Sequence, residues 1–222
     1  MRYLDLLTAL FATVLLVSNV ASTKLVVLGP FTFDGGTLLF PLAYIFGDVL
    51  TEVYGYRKSR RVIWIGFFAL LLATLTFQAV AHLPAPPDAE SQRFGEAFGL
   101  LLGLTPRIVL GSLLAYFLGE FANAYVLAKL KVRTEGRFFW LRALASTLVG
   151  QGLDTGVFLL VAFYGVFPKE VLLAVFLSNY AFKLGVEALM LPCTYAVVGF
   201  LKRAEGMDAY DRDTDFNPFR LT

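Results

Sequence analysis

The stretch FPLAYIFGDVLTEVYGYRKSRR, residues 40–61, begins as an apolar helix and ends in a cluster of base. Asp48 and Glu52 stand inside its apolar part, where an ionised carboxylate at bilayer depth costs about 2.5–3.5 kcal/mol on insertion scales. Whether this segment crosses a membrane, and what makes two acids tolerable in it, decides the fold.

Its surroundings are strongly apolar. Hydrophobic residues make up 58% of the 222 and charged residues 16%, with a mean hydropathy of +0.69, far from the soluble average. Six long apolar segments, 6–28, 37–54, 62–81, 108–128, 143–164 and 171–201, each approach or exceed the ~20 residues a helix needs to span the hydrocarbon core. The expected fold is therefore an all-α integral membrane protein, a six-transmembrane-helix bundle in one domain (residues 1–222) with a short cytoplasmic tail over 202–222. Segment 37–54 is short and holds Pro41, Gly47 and two acids, so a broken or partly re-entrant helix is its alternative. Segment 171–201 is too long to stand upright and must tilt, bend near Pro192 or emerge. A signal-peptide reading of segment 6–28 conflicts with Asp5 and with an apolar run continuing past Lys24. Between segments three and four, Pro84, Pro86 and Pro87 open a loop predicted to hold a short interfacial helix over 93–102.

Orientation follows from the bases. Of 19 Lys and Arg, Arg57, Lys58, Arg60 and Arg61 follow segment two, Lys129, Lys131, Arg133, Arg137 and Arg142 follow segment four, and Lys202 and Arg203 follow segment six. With Arg2, Arg212 and Arg220 these fall on one side, against Arg93, Arg107 and Lys169 on the other. The positive-inside rule then places both termini in the cytoplasm and makes RKSRR a topology anchor.

What remains within the spans is Lys24, Asp48, Glu52, Glu120, Asp154, Lys183 and Glu187, five acids against two bases. Each should face the bundle interior, a partner or water. Tyr44, Asp48 and Glu52 recur at four-residue intervals, as do Asn179, Lys183 and Glu187; Tyr116, Glu120 and Asn123 share one face, as do Ser146, Gly150 and Asp154, with Gln151 beside them. Four segments thus offer polar stripes to a common interior. Lys183 and Glu187 can neutralise each other, and Glu52 can pair with Arg57 or Arg60. Asp48, Glu120 and Asp154 lie deeper, without a local base, and are the favoured functional acids. Gly111, Ala115 and Gly119 would let a neighbouring helix approach closely.

Other classes find no support in the sequence. It carries no HExxH, GxSxG, Walker A or strand-linked GxGxxG motif, and Asp48 with Asp154 lack the paired motifs of an intramembrane aspartyl protease. One Cys and one His leave no metal site, and no cofactor or nucleic-acid partner is expected.

FPLAYIFGDVLTEVYGYRKSRRVIW, GEFANAYVLAKLKV, LRALASTLVGQGLDT and the closing FNPF resemble the queuosine-precursor transporter family, also called the vitamin uptake transporter family. The resemblance implies a six-helix bundle like the substrate-binding subunits of energy-coupling-factor transporters. It also implies uptake of a 7-deazaguanine such as preQ0 or preQ1 across the bacterial inner membrane, with lipid as surroundings and a homo-oligomer or an energising module left open. Such a ligand presents two neighbouring donors that one carboxylate can accept, an O6 acceptor and a flat ring. Asp154, Glu120 or Asp48 would supply the carboxylate; Asn123, Gln151, Asn179 or Lys183 the donor; Phe40, Tyr44, Tyr116 or Tyr180 the platform. Glu52, Glu187 and Lys24 are assigned to coupling or gating.

Overall fold

The computed structural model describes residues 1–28, 31–104 and 106–220, and all of their side chains except those of residues 25, 28, 31–34, 37 and 40. The elements in chain order are α1 (Leu4–Ala21), the strands β1 (Leu25–Leu28) and β2 (Phe31–Asp34), a 3-10 turn (Gly35–Leu38), α2 (Phe40–Tyr54), α3 (Tyr56–Ala81), α4 (Ala89–Leu102), α5 (Pro106–Arg133), α6 (Phe139–Phe163) and α7 (Lys169–Glu205). By length and apolarity α1, α3, α5, α6 and α7 can each cross a membrane.

Two expected spans are altered. The first helix stops at Ala21, seven residues before the expected end at Leu28. The Ser22 and Thr23 hydroxyls turn back onto the carbonyls of Ser18 and Val20, and the β-branched LVVL that follows pairs antiparallel with FTFD, Leu25 opposite Asp34, as such residues prefer. Lys24 is consequently exposed in the turn before β1, not inside a span. The second expected span becomes α2, 15 residues long and about 22 Å at 1.5 Å per residue, preceded by the 3-10 turn and started by Pro41 in its first turn, where a missing N–H is harmless.

Although short, α2 is central. It packs on α1, α3, α5 and α7, and all of its residues from Gly47 to Tyr54 are buried. Gly55, at φ +82°, reverses the chain into α3 through a left-handed conformation that glycine adopts without strain. Of the others, α6 packs mainly on α5 and α7, and α4 on α3. In α5 and α6 the small residues permit close approach as expected: a Cβ on Gly119 would lie 2.8 Å from Asp154 Cβ, and one on Gly150 would lie 2.8 Å from Asn123 Cβ. The short helix α4 begins at Ala89, four residues before the predicted start, because Asp88 caps it by accepting from Ser91 N at 2.8 Å. Over its length α4 buries no residue. Segment six does not break: α7 runs 37 residues as one helix with Pro192 inside it.

One end of the bundle collects both chain ends and the basic turns. Glu205, closing α7, accepts from Arg2 N at 2.9 Å, Tyr3 N at 2.7 Å and Tyr54 Oη at 2.9 Å. The tail then crosses beneath α2 and α3: Ala209 N donates to Val53 O, and Asp211 accepts from Tyr56 N at 2.9 Å, satisfying an orphan donor of α3. Arg60 donates to the carbonyls of Asp215 and Asn217, Trp64 to that of Pro218, and Phe216 packs on Tyr56. FNPF is thus a staple. Of RKSRR, Arg57 and Arg61 are exposed as a topology anchor should be, while Arg60 is buried in holding the tail.

Candidate functional site

The interior holds two polar clusters, both reached from α2. The one nearer the basic end is built on Glu52. Its carboxylate accepts from Arg142 on α6 at 2.9 and 3.2 Å and from Lys202 on α7 at 2.7 Å, with Lys131 of α5 at 3.5 Å. Lys131 also donates to the Glu52 carbonyl at 2.6 Å, and Asp208 from the tail adds a second carboxylate to Lys131 and Lys202. The expected pairing with Arg57 or Arg60 is replaced by this one, because Glu52 points across the bundle while those arginines lie beyond the Gly55 turn. Lys131 and Arg142, counted from sequence as loop bases, are both buried. Charge here is compensated, so Glu52 ties four helices and the tail.

One helical turn away, acids outnumber bases. Asp48 accepts from Asn123 Nδ2 at 2.9 Å, and Thr147 Oγ1 donates to Glu187. Glu120 on α5 is 2% exposed, and among the described residues no hydrogen-bond donor or base engages it. Its Oε2 lies 3.2 Å from where a Cβ on Gly47 of α2 would stand, so the absence of a side chain there makes room beside this acid. The cation in this region is Lys183, which meets Asp154 at 3.1 Å. The expected neutralisation of Glu187 by Lys183 within α7 is therefore replaced by a bridge from α7 to α6, and Asp154 has a base after all. Sequence spacing missed this because the two pair across helices.

Two further acceptors are unpartnered. Asn123 Oδ1 and Gln151 Oε1 are buried and have no hydrogen-bond partner among the described residues, although a buried amide oxygen normally has one. The lining is thus rich in acceptors and poor in donors. Tyr44 is buried beside it, its hydroxyl 3.2 Å from where a Cβ on Gly119 would stand. Tyr116, expected as a platform, spends its hydroxyl on Ile63 O at 2.9 Å and ties α5 to α3. Tyr180 stacks on Phe176 with ring centroids 5.4 Å apart and 13° between planes, over Gly152 and Gly156 of α6. Its hydroxyl donates to Leu148 O. Asn179 is half-exposed, on the side of α7 toward which Lys183 opens. The side chain of Phe40 lies outside the described residues, and Lys24 is far from the cluster in sequence position and exposed. A cleft of about 530 Å³ between Val80 and Phe98 lies at the α3–α4 periphery and contains none of these groups.

Apolar helices around a buried, acid-rich interior define a multi-pass membrane protein. The family described as "Putative vitamin uptake transporter" matches residues 34–197, which include every residue of both clusters except Lys202 and Asp208. This chain belongs to that family, and is a transporter, not an enzyme. It is 36% identical over 188 residues to a Bacillus subtilis protein named "Probable queuosine precursor transporter", covering 84% of this chain and 80% of that one. To the Escherichia coli "Queuosine precursor transporter" it is 27% identical, covering 73% of this chain and 71% of the relative, and to a Haemophilus influenzae "Probable queuosine precursor transporter" 26%, covering 73% and 67%. No solved structure matches the chain significantly.

Proposed function

We propose that the chain imports a queuosine precursor, a 7-deazaguanine such as preQ0 or preQ1, across the bacterial inner membrane. The observation that carries this reading is the surplus of acceptors among the described residues: buried Glu120, which no described donor engages, and Asn123 Oδ1 and Gln151 Oε1, which have no described partner. A 7-deazaguanine is their complement, since its N1–H and exocyclic amine point the same way and fit one carboxylate. Glu120 takes these two donors in this reading, Gln151 and Asn123 take other N–H groups, and Lys183 or the Tyr44 hydroxyl reaches O6. The stacked Tyr180 and Phe176 supply a flat face where α7 stands off α6. The names of the curated relatives support the same substrate.

In this reading α2 is the sixth crossing helix, supported at its short outer end by the β1–β2 hairpin and the 3-10 turn. Both termini and the basic end face the cytoplasm, as their base content favours, and the ligand enters from the side where α7 begins. Binding and uptake of labelled preQ0 by the purified chain in liposomes, without ATP, test the function. Uptake is expected. A deazaguanine lacking the exocyclic amine should bind about 1–3 kcal/mol more weakly, because it leaves a buried acceptor unpaired; equal affinity for the two compounds contradicts this recognition. Binding without uptake would instead identify a substrate-binding subunit that needs a separate ATP-driven module.

A further inference from the structure

We infer that Thr155, with Gln151 one turn before it, reads the edge of the ring that carries N3 and N9–H, and so admits the free base while turning away nucleosides; this rests on the transport reading above. Thr147, Gln151 and Thr155 recur at four-residue intervals on α6 and form one stripe. They are 0%, 1% and 5% exposed. On one side of the stripe Asp154 abuts Gly119 of α5, and on the other Gly152 and Gly156 lie under Tyr180 and Phe176 of α7. The stripe therefore faces the interior between α5 and α7. Its first member is engaged, Thr147 Oγ1 donating to Glu187 of α7. Gln151 Oε1 and Thr155 Oγ1 are buried without a hydrogen-bond partner among the described residues.

Of the two, the Thr155 hydroxyl is the less expected. A threonine in a helix can satisfy its hydroxyl on the carbonyl four residues back, and Thr8, Thr13, Thr134 and Thr194 do so here. Thr155 makes no such bond to Gln151 O. A polar group left open in a dry interior costs free energy until something meets it.

A hydroxyl can donate and accept, whereas an amide oxygen only accepts. One turn apart on a stripe, the two match an edge that offers an acceptor beside a donor. In a 7-deazaguanine that edge is N3 beside N9–H. It lies on the far side of the exocyclic amine from N1–H, so it stays open when N1–H and the amine are on Glu120. Thr155 Oγ1 then donates to N3, and Gln151 Oε1 accepts from N9–H. A ribose on N9 removes that donor and leaves the amide oxygen buried and unpaired.

The test is equilibrium binding to the purified full chain of preQ0, its N9-methyl derivative, its nucleoside and an analogue with CH in place of N3. The wild type should bind both N9-substituted compounds at least about tenfold more weakly than preQ0, because each leaves a buried acceptor unpaired. Thr155→Val keeps the shape and removes the hydroxyl. It should weaken preQ0 about tenfold yet leave the affinity for the N3-lacking analogue unchanged, and Thr155→Ser should restore preQ0 binding. Equal wild-type affinity for preQ0 and the N9-substituted compounds overturns the inference and leaves the transport reading intact. The same holds for an equal loss of preQ0 and the N3-lacking analogue in Thr155→Val, which makes the hydroxyl structural, and for unchanged preQ0 affinity, which leaves it to water. Absence of preQ0 binding to the wild type overturns the transport reading and this inference with it. The wild-type comparison decides the matter even if the variants fail to fold.

Discussion

Asp48 and Glu52 lie four residues apart on one face of α2, and each is 1% exposed, yet they occupy opposite electrostatic settings. Glu52 is surrounded by Arg142, Lys131 and Lys202. Asp48 accepts from the Asn123 amide, and among the described residues no base pairs with it. Burial alone therefore does not separate a structural acid from a functional one in this bundle. Compensation does: where the protein supplies its own counter-charges the acid holds helices together, and where it withholds them the proposed ligand supplies the missing donors.

Removing the compensated acid should have the largest effect. Glu52→Gln leaves three cations, two of them fully buried, without their central anion, and breaking one side of a buried ion pair typically costs about 3–5 kcal/mol. Denaturation in detergent should show a loss of that size. A change below 1 kcal/mol would mean that Asp208 alone balances the cluster. Next comes the seam that positions the acid-rich side. In Gly119→Ala the new methyl would lie 2.8 Å from Asp154 Cβ and 3.0 Å from Gly150 O, neither of which can yield without moving α6, so overpacking should cost about 1–3 kcal/mol and weaken ligand binding as well. Stability equal to wild type would show that α5 and α6 separate freely. The smallest effect should come from Asp208 at the exposed rim of the Glu52 cluster. Partial burial pushes its carboxyl up, but hydrogen bonds from Lys131 and Lys202 outweigh this and hold it below the ordinary aspartate range. Its stabilising contribution is therefore present above about pH 4, the unfolded value, and is lost as pH falls through the lower folded value. Asp208→Asn should lower the melting midpoint at neutral pH, and the gap from wild type should close in acid. A gap that persists at the lowest pH would assign it to packing.

The membrane class, four of the five helices long and apolar enough to cross a membrane, the short helix between segments three and four and the shared polar interior were legible in the sequence, because hydropathy and four-residue spacing are local signals. The pairings were not. Arg142 and Lys131 read as loop bases since their partner Glu52 is some 80 to 90 residues away, and Lys183 read as the neighbour of Glu187 because spacing sees only its own helix. The end of α1 was obscured by LVVL, whose apolar residues serve a strand as well as a span. Tail packing was invisible for the same reason as the ion pairs: FNPF stood out as a motif, but only the fold brings Arg60 and Trp64 to its carbonyls.

The contrast between the two clusters is tested most directly by measuring preQ0 affinity and thermal stability together on Glu120→Gln. The amide keeps the shape but loses the ionic acceptor and presents a donor to the ligand's donors. Affinity should fall by the ~1.5–3 kcal/mol typical of a hydrogen bond to a charged group, with stability unchanged or raised, since an uncompensated buried charge has been removed. Unchanged affinity with a marked loss of stability would contradict the account, placing Glu120 among the structural acids with Glu52.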